Sequence, residues 1–156
     1  MKYRRLTKEQ FEELHQEFIN FLATQSITAS EWDDLKKNKP EVAEEELDVF
    51  SDLIWEGVLA KVEYLENISA RDMHLFWIKE KEISLIAIKV HNENIDLGTE
   101  EGFAWFKKHF MSDAVQIMTA SKKFTDDKHR DIFELIEKGA VITKGELYRW
   151  FEEIIA

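Results

Sequence analysis

The chain has 156 residues, a net charge of −11 and no cysteine. This length suits one domain that buries roughly 70% of its unfolded surface, and the missing thiols exclude a disulfide framework, a thiolate zinc site and a cysteine nucleophile. A hydrophobic content of 44% is too high for a disordered chain.

The opening Met1-Lys2-Tyr3-Arg4-Arg5 is basic, but it runs into Thr7-Lys8-Glu9-Gln10 rather than an apolar stretch, so it does not read as a signal peptide. No run of about 18 apolar residues follows. The expectation is a cytoplasmic protein with no membrane partner. Acids are concentrated: residues 41–66 hold nine against one base. A chain so charged, without a large basic patch, repels phosphate backbones, which weighs against nucleic acid.

In chain order, Thr7 and Gln10 have the spacing of a capping box, and Phe11, Leu14, Phe18, Phe21 and Leu22 follow at helical intervals; the spacing predicts a helix over 8–23. Thr28 and Glu31 open a short second helix carrying Trp32 and Leu35, which Asn38-Lys39-Pro40 ends. From Glu41 to about Glu66 the apolar residues, Phe50 and Leu53 among them, keep a helical period. This is the predicted long central helix.

Beyond it, 73–78 and 83–90 are rich in β-branched and aromatic residues around the polar turn Lys79-Glu80-Lys81-Glu82, a β-hairpin signature. Both faces of the second strand are apolar, which predicts cover on both sides. Thr99 caps a helix with Phe103, Trp105 and Phe106, residues 114–119 read as a third strand, and Thr125 or Asp126 starts a helix that stops at Gly139. Thr143 with Glu146 predicts a final capping box. The fold class is therefore α+β, mainly helical, with the long helix packed on a hairpin or small three-stranded sheet. We read it as a single domain with a helical half to about residue 66 and an α+β half beyond.

The strongest anomaly is the acidic face of the long helix. Glu41, Glu45, Asp48, Asp52 and Glu56 fall at steps of four, three, four and four, with Glu44 beside them, so their carboxylates share one stripe. Such a stripe is in general a solvated face. It could also meet a protein partner, through Glu45, Asp48, Asp52 and Glu56, or hold magnesium or manganese on Glu41, Glu44, Glu45 and Asp48, because hard cations prefer carboxylate oxygen. Trp77, beside Phe76 on a strand with two apolar faces, would invite self-association if that strand lay at a sheet edge. Ser121-Lys122-Lys123 with Lys128, His129 and Arg130 makes the one local basic cluster, a mixed-charge turn that could receive a phosphate or an acidic partner. Asn92-x-Asn94-x-Asp96 has calcium-loop spacing, but Leu97 and Phe103 stand where glycine and glutamate are needed. No nucleophile elbow or glycine-rich phosphate loop is present.

Four stretches carry a resemblance: 2–10 (KYRRLTKEQ), 40–45 (PEVAEE), 90–97 (VHNENIDL) and 139–147 (GAVITKGEL). Together they resemble a family of small uncharacterised proteins from Bacteroidetes over nearly the whole chain. The resemblance implies a bacterial, cytoplasmic protein and brings no activity, cofactor or catalytic residue. The sequence thus points to a non-enzymatic interaction or regulatory domain needing no cofactor, with a protein partner or a second copy of itself. The alternative is a hydrolase of nucleotides or phosphate esters using magnesium or manganese on the stripe.

Overall fold

The structure is a computed structural model and describes residues 1–155. The chain divides into two compact units, the first spanning Met1–Ala60 and the second beginning at Lys61.

The first unit contains four helices, α1 (Lys8–Glu13), α2 (His15–Thr24), α3 (Ala29–Asn38) and α4 (Pro40–Leu59). The capping box expected at Thr7 forms: Gln10 N–H donates to Thr7 Oγ1 at 3.2 Å and Thr7 N–H to Gln10 Oε1 at 2.8 Å. The single helix expected over 8–23 is instead broken at Leu14, whose φ of −99° and ψ of 23° leave the helical basin. The break sets Phe11 on α1 and Phe18 and Phe21 on α2 around one point. That point is Phe50, only 1% exposed, whose ring centroid lies 6.0, 5.0 and 5.4 Å from those of Phe11, Phe18 and Phe21. Trp32 on α3 meets Phe18 edge-on at 5.2 Å. Aromatic rings in such tilted and offset contacts add to the stability gained by burying their area.

Helix α4 ends at Leu59, seven residues short of the expected Glu66, and Tyr64–Ile68 is a strand. The helical period across residues 58–65 was a coincidence of spacing. Sheet pairing gives Tyr64 and Leu65 deeper burial than a continued helix face could, since Val49, Leu53 and Val58 on α4 remain 54%, 56% and 39% exposed.

The second unit is built on a five-stranded antiparallel sheet, β1 (Tyr64–Ile68), β2 (Asp72–Ile78), β3 (Glu82–Val90), β4 (Val115–Lys123) and β5 (Val141–Thr143), in the order β4-β3-β2-β1-β5. The hairpin is where the sequence placed it; the third strand, expected over 114–119, runs on through Ser121-Lys122-Lys123, expected as a turn, and β1 and β5 extend the sheet beyond three. Helices α5 (Glu100–His109), α6 (Lys128–Glu137) and α7 (Glu146–Ile155) complete the unit. One sheet face presents Met73, Leu75, Ile86, Ile88 and Val90 to Phe106 of α5 and Tyr148 and Phe151 of α7, and these residues form the main core.

The register pairs Phe76 with Leu85 and Leu85 with Ala120, which places these three on the opposite face. Gly139, at φ +110°, stops α6 as expected: Gly139 N–H donates to the Ile136 carbonyl and Ala140 N–H to that of Leu135, both at 3.0 Å. The capping box expected at Thr143 is absent. Thr143 closes β5 opposite Tyr64, its Oγ1 accepts from Gly145 N–H at 3.2 Å, and the last helix begins only at Glu146. Among the described residues no helix is long and apolar enough to cross a membrane.

Candidate functional site

The acidic stripe is largely occupied by the chain itself. Residues 2–6 lie along α4 as a strap, and Glu44, Asp48, Asp52 and Glu56 each take a specific donor from it. Asp52 accepts the backbone N–H groups of Lys2 at 2.6 Å and Tyr3 at 2.9 Å. Glu56 accepts the Tyr3 hydroxyl at 2.6 Å and the Lys2 ammonium at 3.3 Å. The Arg5 guanidinium spans Asp48, at 2.8 Å from Nε and 2.7 Å from Nη2, and Glu44; the hydrogen bonds it donates to Asp48, then Glu44, raise its already high pKa. Arg4 stands over the Trp55 ring at 5.1 Å. Beneath the strap, Ser51 is fully buried, accepting from Leu6 N–H at 3.1 Å and donating to the Leu47 carbonyl at 2.7 Å.

Of the stripe, Glu44, Asp48, Asp52 and Glu56 are thereby held by the strap, and Glu41 and Glu45 stay exposed. The proposed ligand set Glu41, Glu44, Glu45 and Asp48 does not come together: among the described residues no three His, Asp or Glu side chains are placed to hold a metal ion. The charge pattern that reads as a free surface is half of an intramolecular contact, and the basic opening of the chain is the other half.

Trp77 lies on β2, the third strand of five, so it is not on a sheet edge. It packs against the main core, stacked on Tyr64 at 6.2 Å and tilted against Tyr148 at 5.9 Å, with the Lys79 ammonium 4.6 Å from its ring centre.

An opening with a largely apolar lining lies on the other sheet face, beside α6. It has a volume of about 340 Å³ with a floor of Phe76, Ile83, Leu85, Phe124 and Leu135, within the size range of small-ligand and anchor-residue pockets. Its rim carries Lys122, Lys123 and Lys138 together with Asp131 and Glu134. The two acids are engaged: Asp131 accepts Thr125 N–H at 2.7 Å and its hydroxyl at 2.8 Å, and Glu134 pairs with Arg130 at 3.6 Å. No ion pair among the described residues holds the three lysines. Lys128, whose ammonium donates to the Lys79 carbonyl at 2.9 Å and the Glu80 carbonyl at 3.2 Å, ties the start of α6 to the hairpin turn and fixes the groove's shape.

A family model matches residues 1–156. The chain belongs to a family of unknown function, DUF6495. No curated protein and no solved structure matches it. Membership agrees with the resemblance in giving a family of unknown function across the chain, and adds no chemistry to it.

The groove was half legible in the sequence. Lys122 and Lys123 belong to the local basic cluster with Ser121, Lys128, His129 and Arg130, and the second strand of the hairpin is apolar on both faces. What joins them is the β3–β4 register, which pairs Ile83 with Lys122 and Leu85 with Ala120, and no local pattern announces that pairing.

Proposed function

We propose that the protein is a non-enzymatic interaction domain whose groove beside α6 receives an apolar anchor side chain from a protein partner with acidic flanking residues. The observation that carries this reading is the pairing of an apolar floor with three lysines that no ion pair holds among the described residues, while of the two rim acids Glu134 pairs with Arg130 and Asp131 accepts from Thr125. An incoming acidic segment would meet positive charge at the rim and lose apolar area to the floor, the usual division between orientation and affinity at an interface. The strap speaks against α4 as the partner surface, because a partner there would first have to displace Arg5 from Asp48 and Glu44.

Fluorescence anisotropy with labelled ten-residue peptides tests the proposal. Peptides with a central Phe or Leu flanked by glutamates should bind, with affinity falling as salt rises, and lysine-flanked versions should not. Lys122→Glu/Lys138→Glu should reverse that preference. Binding indifferent to the flanking charge, or to this double variant, would refute it.

A further inference from the structure

The strand order leaves β4 at one edge of the sheet, nine residues long, with only Val115 and Ile117 part-buried against the core. From Met118 to Lys123 every residue is exposed. The other edge, β5, is only three residues long. A long exposed edge is a row of backbone donors and acceptors ready to pair with another strand, and proteins commonly bury or interrupt such rows.

Which backbone groups are free can be deduced. His91 N–H donates to the Ala114 carbonyl at 2.7 Å and Phe124 N–H to the Lys81 carbonyl at 3.3 Å, bracketing the β3–β4 register. Hydrogen-bonded and non-bonded pairs alternate along an antiparallel ladder. Gln116, Met118, Ala120 and Lys122 therefore bond inward to β3, and Ile117, Thr119, Ser121 and Lys123 turn their N–H and C=O groups outward.

We infer that the occupant of this edge is a second copy of the chain, paired antiparallel about a twofold axis at Thr119. Such an interface is self-complementary by symmetry. Only this centre lets all nine residues of the strand pair, and it matches outward residues with outward residues: Thr119 with the partner's Thr119, Ile117 with the partner's Ser121, Val115 with the partner's Lys123. It also places charge well, since Lys122 lies opposite the partner's Gln116 and no lysine faces a lysine. Moving the axis to Ser121 crowds four lysines around it, and moving it to Ile117 leaves only residues 115–119 of the strand paired. Directly opposed residues share a sheet face, so Ala120, which lines the groove, gains the partner's Met118 as its neighbour. Met118 is 57% exposed in the single chain. The result is a continuous ten-stranded sheet with a groove on each side of the axis.

The inference is independent of what the groove binds. Sedimentation equilibrium of the full chain should give twice the monomer mass. Thr119→Pro should give the monomer with unchanged circular dichroism, because proline removes an N–H that bonds nothing within the chain. The chain has no cysteine of its own, so the register can be read by oxidation. Thr119→Cys should crosslink to a dimer, its Cα atoms about 5.5 Å apart, inside the disulfide range. Ile117→Cys should not, being roughly 13 Å or more from its own counterpart, four strand positions away, whereas Ile117→Cys/Ser121→Cys should. A monomeric wild-type chain, a dimer that survives Thr119→Pro, or crosslinking of Ile117→Cys in place of Thr119→Cys would overturn the proposal. Peptide binding by monomeric Thr119→Pro, whose groove residues are intact, separates that outcome from failure of the groove reading.

Discussion

Tyr3 donates its hydroxyl proton to Glu56 at 2.6 Å, joining the strap to the last charged rung of α4. Burial first, and then this acceptor, push the phenol from its ordinary 10.0 up to about 12. A folded value above the unfolded one means the folded state holds its proton longer. The stabilisation is fully present below pH 10.0 and is lost as the pH rises toward 12. Urea unfolding between pH 9 and 11.5 should show wild-type stability falling more steeply than that of Tyr3→Phe, which has no phenol to ionise. Parallel curves would mean the Tyr3 proton is not coupled to folding.

The strap has a neutral anchor as well as charged ones, and the two should respond differently to salt. Ser51→Ala leaves Leu6 N–H facing a buried methyl group, a loss of about 1–3 kcal/mol, unchanged between low and high salt. Asp52→Asn keeps an acceptor but removes the charge beneath two backbone N–H groups. It should cost about 1 kcal/mol, shrinking as salt screens the remaining ladder. Urea midpoints at two ionic strengths distinguish the cases. Equal salt responses would assign the clasp a single character that its contacts do not have.

Local signals were readable where local chemistry decides: the Thr7 box, the Asn38-Lys39-Pro40 stop, the Gly139 terminus and the hairpin around Lys79–Glu82 are all formed. Errors occurred where a distant partner decides. Tyr64 and Leu65 fit a helical period, but strands on both sides, β2 and β5, claim them for the sheet. Thr143 and Glu146 have capping-box spacing, yet pairing with Tyr64 draws Thr143 into β5. The acidic stripe was seen and its face was right. Its counterpart, Lys2 to Arg5, was seen too, as a charge run near a possible signal, and nothing in either segment says that residues some fifty positions apart meet.

Glu66 is a carboxylate that the sheet tolerates rather than uses. It sits on β1 opposite Leu75 and Val141, and burial raises its pKa above the ordinary 4.5. Because the fold favours the protonated form, stability is greatest below that ordinary value and declines as the pH climbs through the folded one. Glu66→Gln supplies a neutral group of the same shape. It should raise the melting temperature slightly at pH 7 and lose that advantage near pH 4.5. Scanning calorimetry of both proteins across this range reads the difference directly. A variant less stable than wild type at pH 7 would show that the carboxylate has a partner it needs.

Two glycine substitutions should have opposite signs, and the contrast tests the packing of the second unit against simple helix propensity. Gly145 holds φ at +78°, and a Cβ built there would lie 2.4 Å from the Tyr64 ring. That ring cannot yield: it is stacked on Trp77, tilted against Tyr148 at 5.7 Å and topped by the Arg149 guanidinium at 5.3 Å. Gly145→Ala therefore combines a left-handed backbone with a collision against a core aromatic, and should cost about 2 kcal/mol or more. Gly57 lies within α4, and nothing stands within 4 Å of its built Cβ. There alanine only restricts the unfolded chain and favours the helix, a gain of roughly 0.5–1 kcal/mol. Urea unfolding of the two variants, monitored by tryptophan fluorescence, should move the midpoint down for the first and up for the second. A harmless Gly145→Ala would mean that Tyr64 is free to move, and with it the junction of β1, β5 and α7 that its ring fills.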